Sequence, residues 1–418
     1  YKFPEMKMNK RWILFSLFNF LMAALMGLVL RGAFVWGSSW DYINVMHAHS
    51  HVAMLGWVYM ALYILIGYRF IPSEQWEKPV YSQLFWFTQF TVFGMMVSFP
   101  LQGYGAFSIT FSTLHILASY LFGYRVWKDH RTRHPEISLL IKTALVLMAV
   151  STIGVWTLGP LAMTGGRSST LYQLAIQFYL HFQFHGWFTF ALLALLLDVL
   201  VKNPGSFRTT FKRFYGLLVA SVAFTYGLVL AWGLGGPIPL IANGLGLLFQ
   251  LMALLLFFKM IKEGNPLFFK NLTPSTKAFY RFGLASWIVK VAIQTIVLIP
   301  AAALVSFTIR SFMIGFIHLT MLGFISGLLF ALILGSSKKA AENKWAYSGR
   351  VAFITGFALT ELLLFVQGLS YWVQWGQVPA FYESIFGASV LLPVAILLIT
   401  VGVARHYDFK RIPRVMTT

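Results

Sequence analysis

Apolar stretches of about twenty residues, separated by short polar segments, recur along the whole chain. At about 1.5 Å rise per residue, each is long enough to cross a hydrocarbon core of about 30 Å. The pattern predicts helices over residues 11–33, 47–70, 81–101, 106–126, 138–160, 170–199, 212–234, 237–260, 278–303, 311–335, 350–372 and 383–404. The expected fold class is therefore all-α: a polytopic membrane protein of about twelve transmembrane helices, forming a single transmembrane domain over residues 1–418. The first stretch lacks a small-residue cleavage site and runs on into further spans, so it reads as a first helix rather than a removed signal.

Composition fits this class. The 418 residues are 58% hydrophobic and only 11% charged, with a mean hydropathy of +0.73, too little charge to cover a soluble protein of this length. A net charge of +20 raises the question of nucleic acid, but the placement of the charge answers it. With the N-terminus in the cytoplasm, 28 of the 32 Lys and Arg fall on the cytoplasmic side, in clusters Lys7–Arg11, Arg125–Arg133, Lys202–Arg213, Lys259–Arg281, Lys338–Arg350 and Arg405–Arg414 with a few flanking residues. Arg31, Arg167 and Arg310 fall outside, and Lys290 falls within a span. This is the positive-inside asymmetry. It places both termini in the cytoplasm, gives no nucleic-acid footprint, and suits a multi-pass protein of a bacterial inner membrane, with lipid as its first partner.

The chain has no cysteine. Disulfides, thiolate copper centres, iron–sulfur clusters and covalent haem attachment are excluded.

The most informative feature is a seven-residue pattern: His, two residues, Met or Phe, one residue, Gly, then an aromatic. It occurs as His51-Val-Ala-Met-Leu-Gly56-Trp57, His181-Phe-Gln-Phe-His185-Gly186-Trp187 and His318-Leu-Thr-Met-Leu-Gly323-Phe324. The three copies lie on the predicted second, sixth and tenth helices, at intervals of 130 and 137 residues. Three pseudo-symmetric four-helix units, approximately 1–130, 131–265 and 266–418, account for nearly all of the chain. The three helices run in the same sense, so their histidines lie in one layer roughly 5–15 Å below the outer boundary. An imidazole inside a membrane is costly without a partner, and three at one depth suggest a shared purpose such as metal or haem ligation.

His47, His49 and His51 form a His-x-His-x-His run at the mouth of the second helix. His47 and His51 share a face and His49 points nearly opposite. His181 and His185 have the i, i+4 spacing that lets two imidazoles grip one metal ion. His115 lies near the middle of the fourth helix; it and His49 read either as ligands or as hydrogen-bonding partners of a neighbouring helix. His130, His134 and His406 fall in basic loops and read as solvated. Arg31, Arg167 and Arg310 suit haem propionates or serve as interfacial anchors. Glu361 and Lys290 are the acid and base placed deep in spans. They read as elements of a proton relay, or as groups paired with each other or with polar neighbours such as Gln294.

Twelve helices in three groups of four, with histidines on the second, sixth and tenth, resemble the catalytic subunit of the haem–copper oxidase and nitric oxide reductase superfamily. The run His47–Trp57, continuing to Tyr68-Arg-Phe-Ile-Pro72, looks like the second helix of that subunit. The resemblance implies that His51 and His318 ligate a low-spin haem, and that His181 binds copper or non-haem iron beside a second haem. His185 stands where the family often has Tyr or Glu. Two departures stand out: the tenth helix carries only His318, with Phe316 and Thr320 at the flanking positions, and Ala231–Pro239 lacks the family's pair of adjacent histidines. Either His47, His49, His115 and His185 substitute as ligands, or the second site is absent or altered. A weaker resemblance is to NnrS-type haem- and copper-containing membrane proteins.

Three functions follow as expectations. The first is reduction of nitric oxide or oxygen by electrons passed through haem, probed as an oxidoreductase; with no covalent cytochrome module, those electrons come from a partner subunit, a cytochrome c or a quinol. The second is a haem or copper protein that binds nitric oxide or passes electrons without turnover. The third is a histidine-lined metal transporter, which the concentration of histidines in one layer disfavours.

Overall fold

The computed structural model describes residues 8–132, 134–200, 204–265 and 268–406. Of the cluster residues named above, Lys7, Arg133, Lys202 and Arg414 lie outside the described residues. Among the described residues the regular structure is helical throughout, with no strand. Among the described residues eleven long apolar helices are joined by a broken one: α1 (Lys10–Trp36), α2 (Tyr42–Phe70), α3 (Pro79–Gln102), α4 (Ala106–Asp129), α5 (Pro135–Thr164), α6 (Thr170–Leu200), α7 (Arg208–Leu234), α8 (Pro237–Gly264), α9 in two limbs (Pro274–Ile296 and Pro300–Thr308), α10 (Arg310–Gly335), α11 (Lys344–Trp372) and α12 (Phe381–His406). The protein is a multi-pass membrane protein in its architecture.

Local chemistry sets the ends of these helices. Pro79, Pro135 and Pro237 occupy first turns, where a missing N–H costs nothing. Gly235 and Gly236 take φ of +71° and +88°, a left-handed pair open to residues without Cβ, and so turn the chain between α7 and α8. Helix α2 begins five residues earlier than its apolar pattern alone suggests. Asp41 caps it, its carboxylate accepting the Asn44 N–H at 2.9 Å. His47, His49 and His51 therefore lie about one and a half to two and a half turns inside α2 rather than at its mouth. The predicted helix over 278–303 is also corrected. It stops at Ile296 and resumes after a 115° bend at Pro300, because proline has no N–H to continue the ladder and restricts the residue before it.

Helices α2, α6 and α10 are the most enclosed. In their most apolar windows 83%, 83% and 78% of residues are buried, against 33–61% in the other unbroken spans. The helices bearing the repeat are thus the three whose surfaces are most fully taken up by protein.

Packing divides the described chain into two compact units, one within Tyr1–Arg131, Leu272–Gly283 and Ile325–Thr418, the other within Thr132–Asn271 and Leu284–Phe324. The first contains α1–α4, α11, α12 and the segments of α9 and α10 bearing Tyr280 and Phe330. The second contains α5–α8 and the segments bearing Lys290 and His318.

Candidate cofactor site

Each copy of the repeat folds into the same local structure. Directly after His51, His181 and His318 the helix widens into a π-helical stretch, Val52–Val58, Phe182–Phe188 and Leu319–Ser326, before resuming α geometry. The Tyr59 N–H, for example, reaches back five residues to the Met54 carbonyl. π-helical turns are rare and collect at functional sites. Three of them at matching positions make the repeat a feature of backbone geometry, not of residue types alone.

A widened turn leaves carbonyls without their usual α-helical donors, and inside a membrane these need other partners. In α2, neighbouring helices supply them. His115 of α4 hydrogen-bonds the Leu55 carbonyl. Asn19 Nδ2 of α1 donates to the Gly56 carbonyl at 2.9 Å and Ser16 Oγ to that of Trp57 at 3.4 Å. Asn19 is held in turn by Gln89 of α3 through two amide bonds of 2.8 and 3.0 Å. In α6, Thr189 Oγ1 donates back to the Phe184 carbonyl at 2.7 Å, and Gln183 Nε2 donates to Ser151 Oγ at 2.9 Å.

The remaining motif positions explain themselves by packing. A Cβ on Gly56 would lie 2.8 Å from Val92 and 3.1 Å from Asn19; one on Gly186 would lie 2.9 Å from Leu147. The glycines permit close approach of the flanking helices. The final aromatic is fully enclosed. Trp57 stacks on Phe20 of α1 at 4.6 Å and 4°, and Phe324 on Trp287 of α9 at 5.3 Å and 17°. Both members of these two pairs are 267 positions apart in sequence. The same offset relates Ala23, whose carbonyl meets His49 at 2.8 Å, to Lys290, whose ammonium lies 5.7 Å from the Phe316 ring. The first and third copies therefore pack their helix pairs alike.

In the first unit His51 donates from Nδ1 to the His47 carbonyl, one turn back, at 2.8 Å. This fixes the neutral tautomer and leaves the Nε2 lone pair for a ligand. Its ring packs 4.3 Å from Phe99, and His47 meets Tyr104 edge-on at 4.6 Å. His49 points to α1, as its spacing requires, and bonds the Ala23 carbonyl there. His115 is buried at 1% exposure and lies against the Tyr59 ring at 4.8 Å. Its Nε2 has no hydrogen-bond partner among the described residues, and it lies within electrostatic range of His51. Arg31, near the end of α1, is in electrostatic range of both His49 and Glu361.

In the second unit His181 is buried and its Nε2 donates to the Val222 carbonyl of α7 at 2.8 Å, leaving Nδ1 as the lone-pair nitrogen. The His185 ring is 4.8 Å away. Lys290, 2% exposed, donates to Gln294 Oε1 at 2.9 Å, the polar neighbour its sequence position suggested, and acts electrostatically on both imidazoles. His318 closes the α-helical turn before its π-helical stretch. Arg167 and Arg310 are exposed, the former in the loop after α5, the latter opening α10.

Among the described residues no three His, Asp or Glu side chains are arranged to hold a metal ion. His130 corrects the expectation of a solvated loop residue. It is buried, and its Nδ1 caps α4 on the Val126 carbonyl at 2.8 Å. Sequence reading passed over Asn19, Gln89, Phe99 and Tyr104. An asparagine in the middle of the apolar stretch 11–33 was the available signal for the first.

No family model matches the chain, and a search of curated proteins finds no significant match.

Proposed function

We propose that the chain is a haem-binding protein of the bacterial inner membrane that carries electrons and binds a small gas, nitric oxide or oxygen, with both termini cytoplasmic. The observation that carries this reading is His51: a neutral imidazole locked through Nδ1 at the head of a π-helical turn, with no hydrogen bond at Nε2 among the described residues and aromatic rings beside it. That donor chemistry fits a non-covalently held b-type haem, and the absence of cysteine requires non-covalent attachment. His318 heads the matching turn of the third copy and is the other residue that would hold the haem in this reading. The bound haem would supply one-electron chemistry and an iron on which a gas can bind. The chain's own residues fix the imidazole, exclude water and offer Arg31, Arg167 and Arg310 to propionates. His181 and His185 are the residues nearest in kind to a copper or non-haem iron pair, reached by electrons from a partner subunit, a cytochrome c or a quinol. Glu361 and Lys290 are the candidates for proton movement.

A second reading keeps the haem without turnover, as a nitric-oxide-binding or electron-passing protein. It is favoured by the lack of a three-ligand metal group among the described residues. Spectra of the purified protein, oxidised and dithionite-reduced, test the proposal. A Soret band that disappears in both His51→Ala and His318→Ala is expected; a protein without the band ends both readings. Consumption of nitric oxide by the reduced protein would separate turnover from binding.

A further inference from the structure

The start of α11 and the end of α12 are fastened together. Asn343 caps α11, its Oδ1 accepting the Ala346 N–H at 2.9 Å while its Nδ2 donates to the Ala340 carbonyl at 2.7 Å. The short helix Lys338–Glu342 is thereby tied to α11. Gly402 of α12 lies against this cap; a Cβ there would stand 2.8 Å from Asn343 Oδ1 and 3.1 Å from the Ala346 nitrogen. Three residues further on, Arg405 sets its guanidinium over the Trp345 indole at 5.4 Å, and Lys344 sets its ammonium over the same ring, also at 5.4 Å. The two charges lie no farther apart than twice that distance.

An indole face attracts a cation but leaves its N–H donors, three on the lysine and five on the arginine, to find oxygen elsewhere. Neither side chain is in a salt bridge with a described residue, and Glu342, the acid nearest in sequence to Lys344, is paired with Lys338 at 4.0 Å. Lys344 and Arg405 are exposed and Trp345 is half-buried.

The surroundings have the polarity of a membrane interface. Tyr347, an exposed aromatic of the kind that marks that depth, carries the Arg350 guanidinium 4.7 Å over its ring. The face of α11 that begins with Lys344 continues as Val351, Leu362 and Val366, seven, eighteen and twenty-two residues on, all three exposed. A ligand seated here meets cationic donors at the helix ends and then a lipid-facing apolar stripe. A phospholipid with an anionic headgroup has the same order of groups, whereas a free anion would use the donors alone.

We propose that Lys344 and Arg405, held on Trp345, bind the phosphate of an anionic phospholipid whose acyl chains lie along the exposed stripe of α11. The site belongs to the first unit and does not rest on haem binding.

The test is photolabelling of the full chain in phosphatidylcholine nanodiscs, using a phosphatidylglycerol with a diazirine beside its headgroup and the matching phosphatidylcholine probe. Adducts are mapped by peptide mass spectrometry. The phosphatidylglycerol probe is expected to label the segment around Trp345, and unlabelled phosphatidylglycerol, but not inorganic phosphate, to compete. Arg405→Gln and Lys344→Gln each lower labelling there at least about fivefold, the worth of one basic side chain at an anionic membrane surface. Arg405→Gln decides alone if Lys344→Gln melts early. Lys259→Gln, which removes a charge paired with Glu263 at 3.9 Å in the second unit, leaves the labelling unchanged. Equal labelling by the two probes, displacement by inorganic phosphate, undiminished labelling of Arg405→Gln, or an equal loss in Lys259→Gln overturns the proposal.

Discussion

The turns after His51 and His181 share a sequence pattern and a π-helical backbone, yet they use their imidazoles in opposite ways. His51 bonds its own helix through Nδ1 and keeps Nε2. His181 reaches across to α7 through Nε2 and keeps Nδ1. The backbone turn follows from the residues of the repeat, whereas the direction and tautomer of the ring follow from what a neighbouring helix offers. Val222 supplies a carbonyl to His181, while Phe99 covers the His51 ring with carbon. One motif thus produces one nitrogen suited to an external ligand and one imidazole tied into the helix packing.

The largest test of this contrast is the haem content of paired variants. His51→Ala should abolish the Soret band and His181→Ala should retain it; equal loss in both would erase the distinction. Next come the motif glycines. Gly56→Ala and Gly186→Ala each place a Cβ under 3.0 Å from a neighbour and should each cost about 1–3 kcal/mol as overpacking. Thermal melts in detergent should show Gly56→Ala as the more damaging, because its Cβ meets both a branched Val92 and the Asn19 that serves the π-helical turn. Asn19→Leu should cost a similar or smaller amount, about 1–3 kcal/mol for the carbonyl and amide left unpaired. It should also broaden or shift any Soret band, while Thr189→Val, at the corresponding turn of α6, lowers stability without touching the spectrum. The smallest effect belongs to Ser326→Ala, which removes the 2.8 Å bond from Trp57 Nε1 and should cost about 1 kcal/mol. A cost of several kcal/mol there would mean that the aromatic, rather than the glycine, holds the turn in place.

Much of the fold was legible from residue order. Span limits came within a few residues in most helices, because about twenty apolar residues between basic clusters leave the chain little choice in a bilayer. The misses have local causes. Asp41 capped α2 ahead of its apolar pattern, Pro300 broke α9, and His130, in a basic loop by sequence, folded back as a helix cap. The Lys290–Gln294 pair was readable because i, i+4 side chains meet on one helix face.

The sequence by itself determined that this is a multi-pass helical membrane protein, that one histidine motif recurs on three of its helices, and that any haem must be held without cysteine. These follow from composition, period and spacing, which are properties of the chain alone. Only the tertiary structure decided that the motif marks a π-helical turn, that His115, Asn19 and Ser16 satisfy the carbonyls it frees, and that Lys290 comes within electrostatic reach of His181 and His185. Those facts depend on partners 37 to 109 residues away, and no local pattern encodes which carbonyl, ring or amine a helix will meet once it is packed.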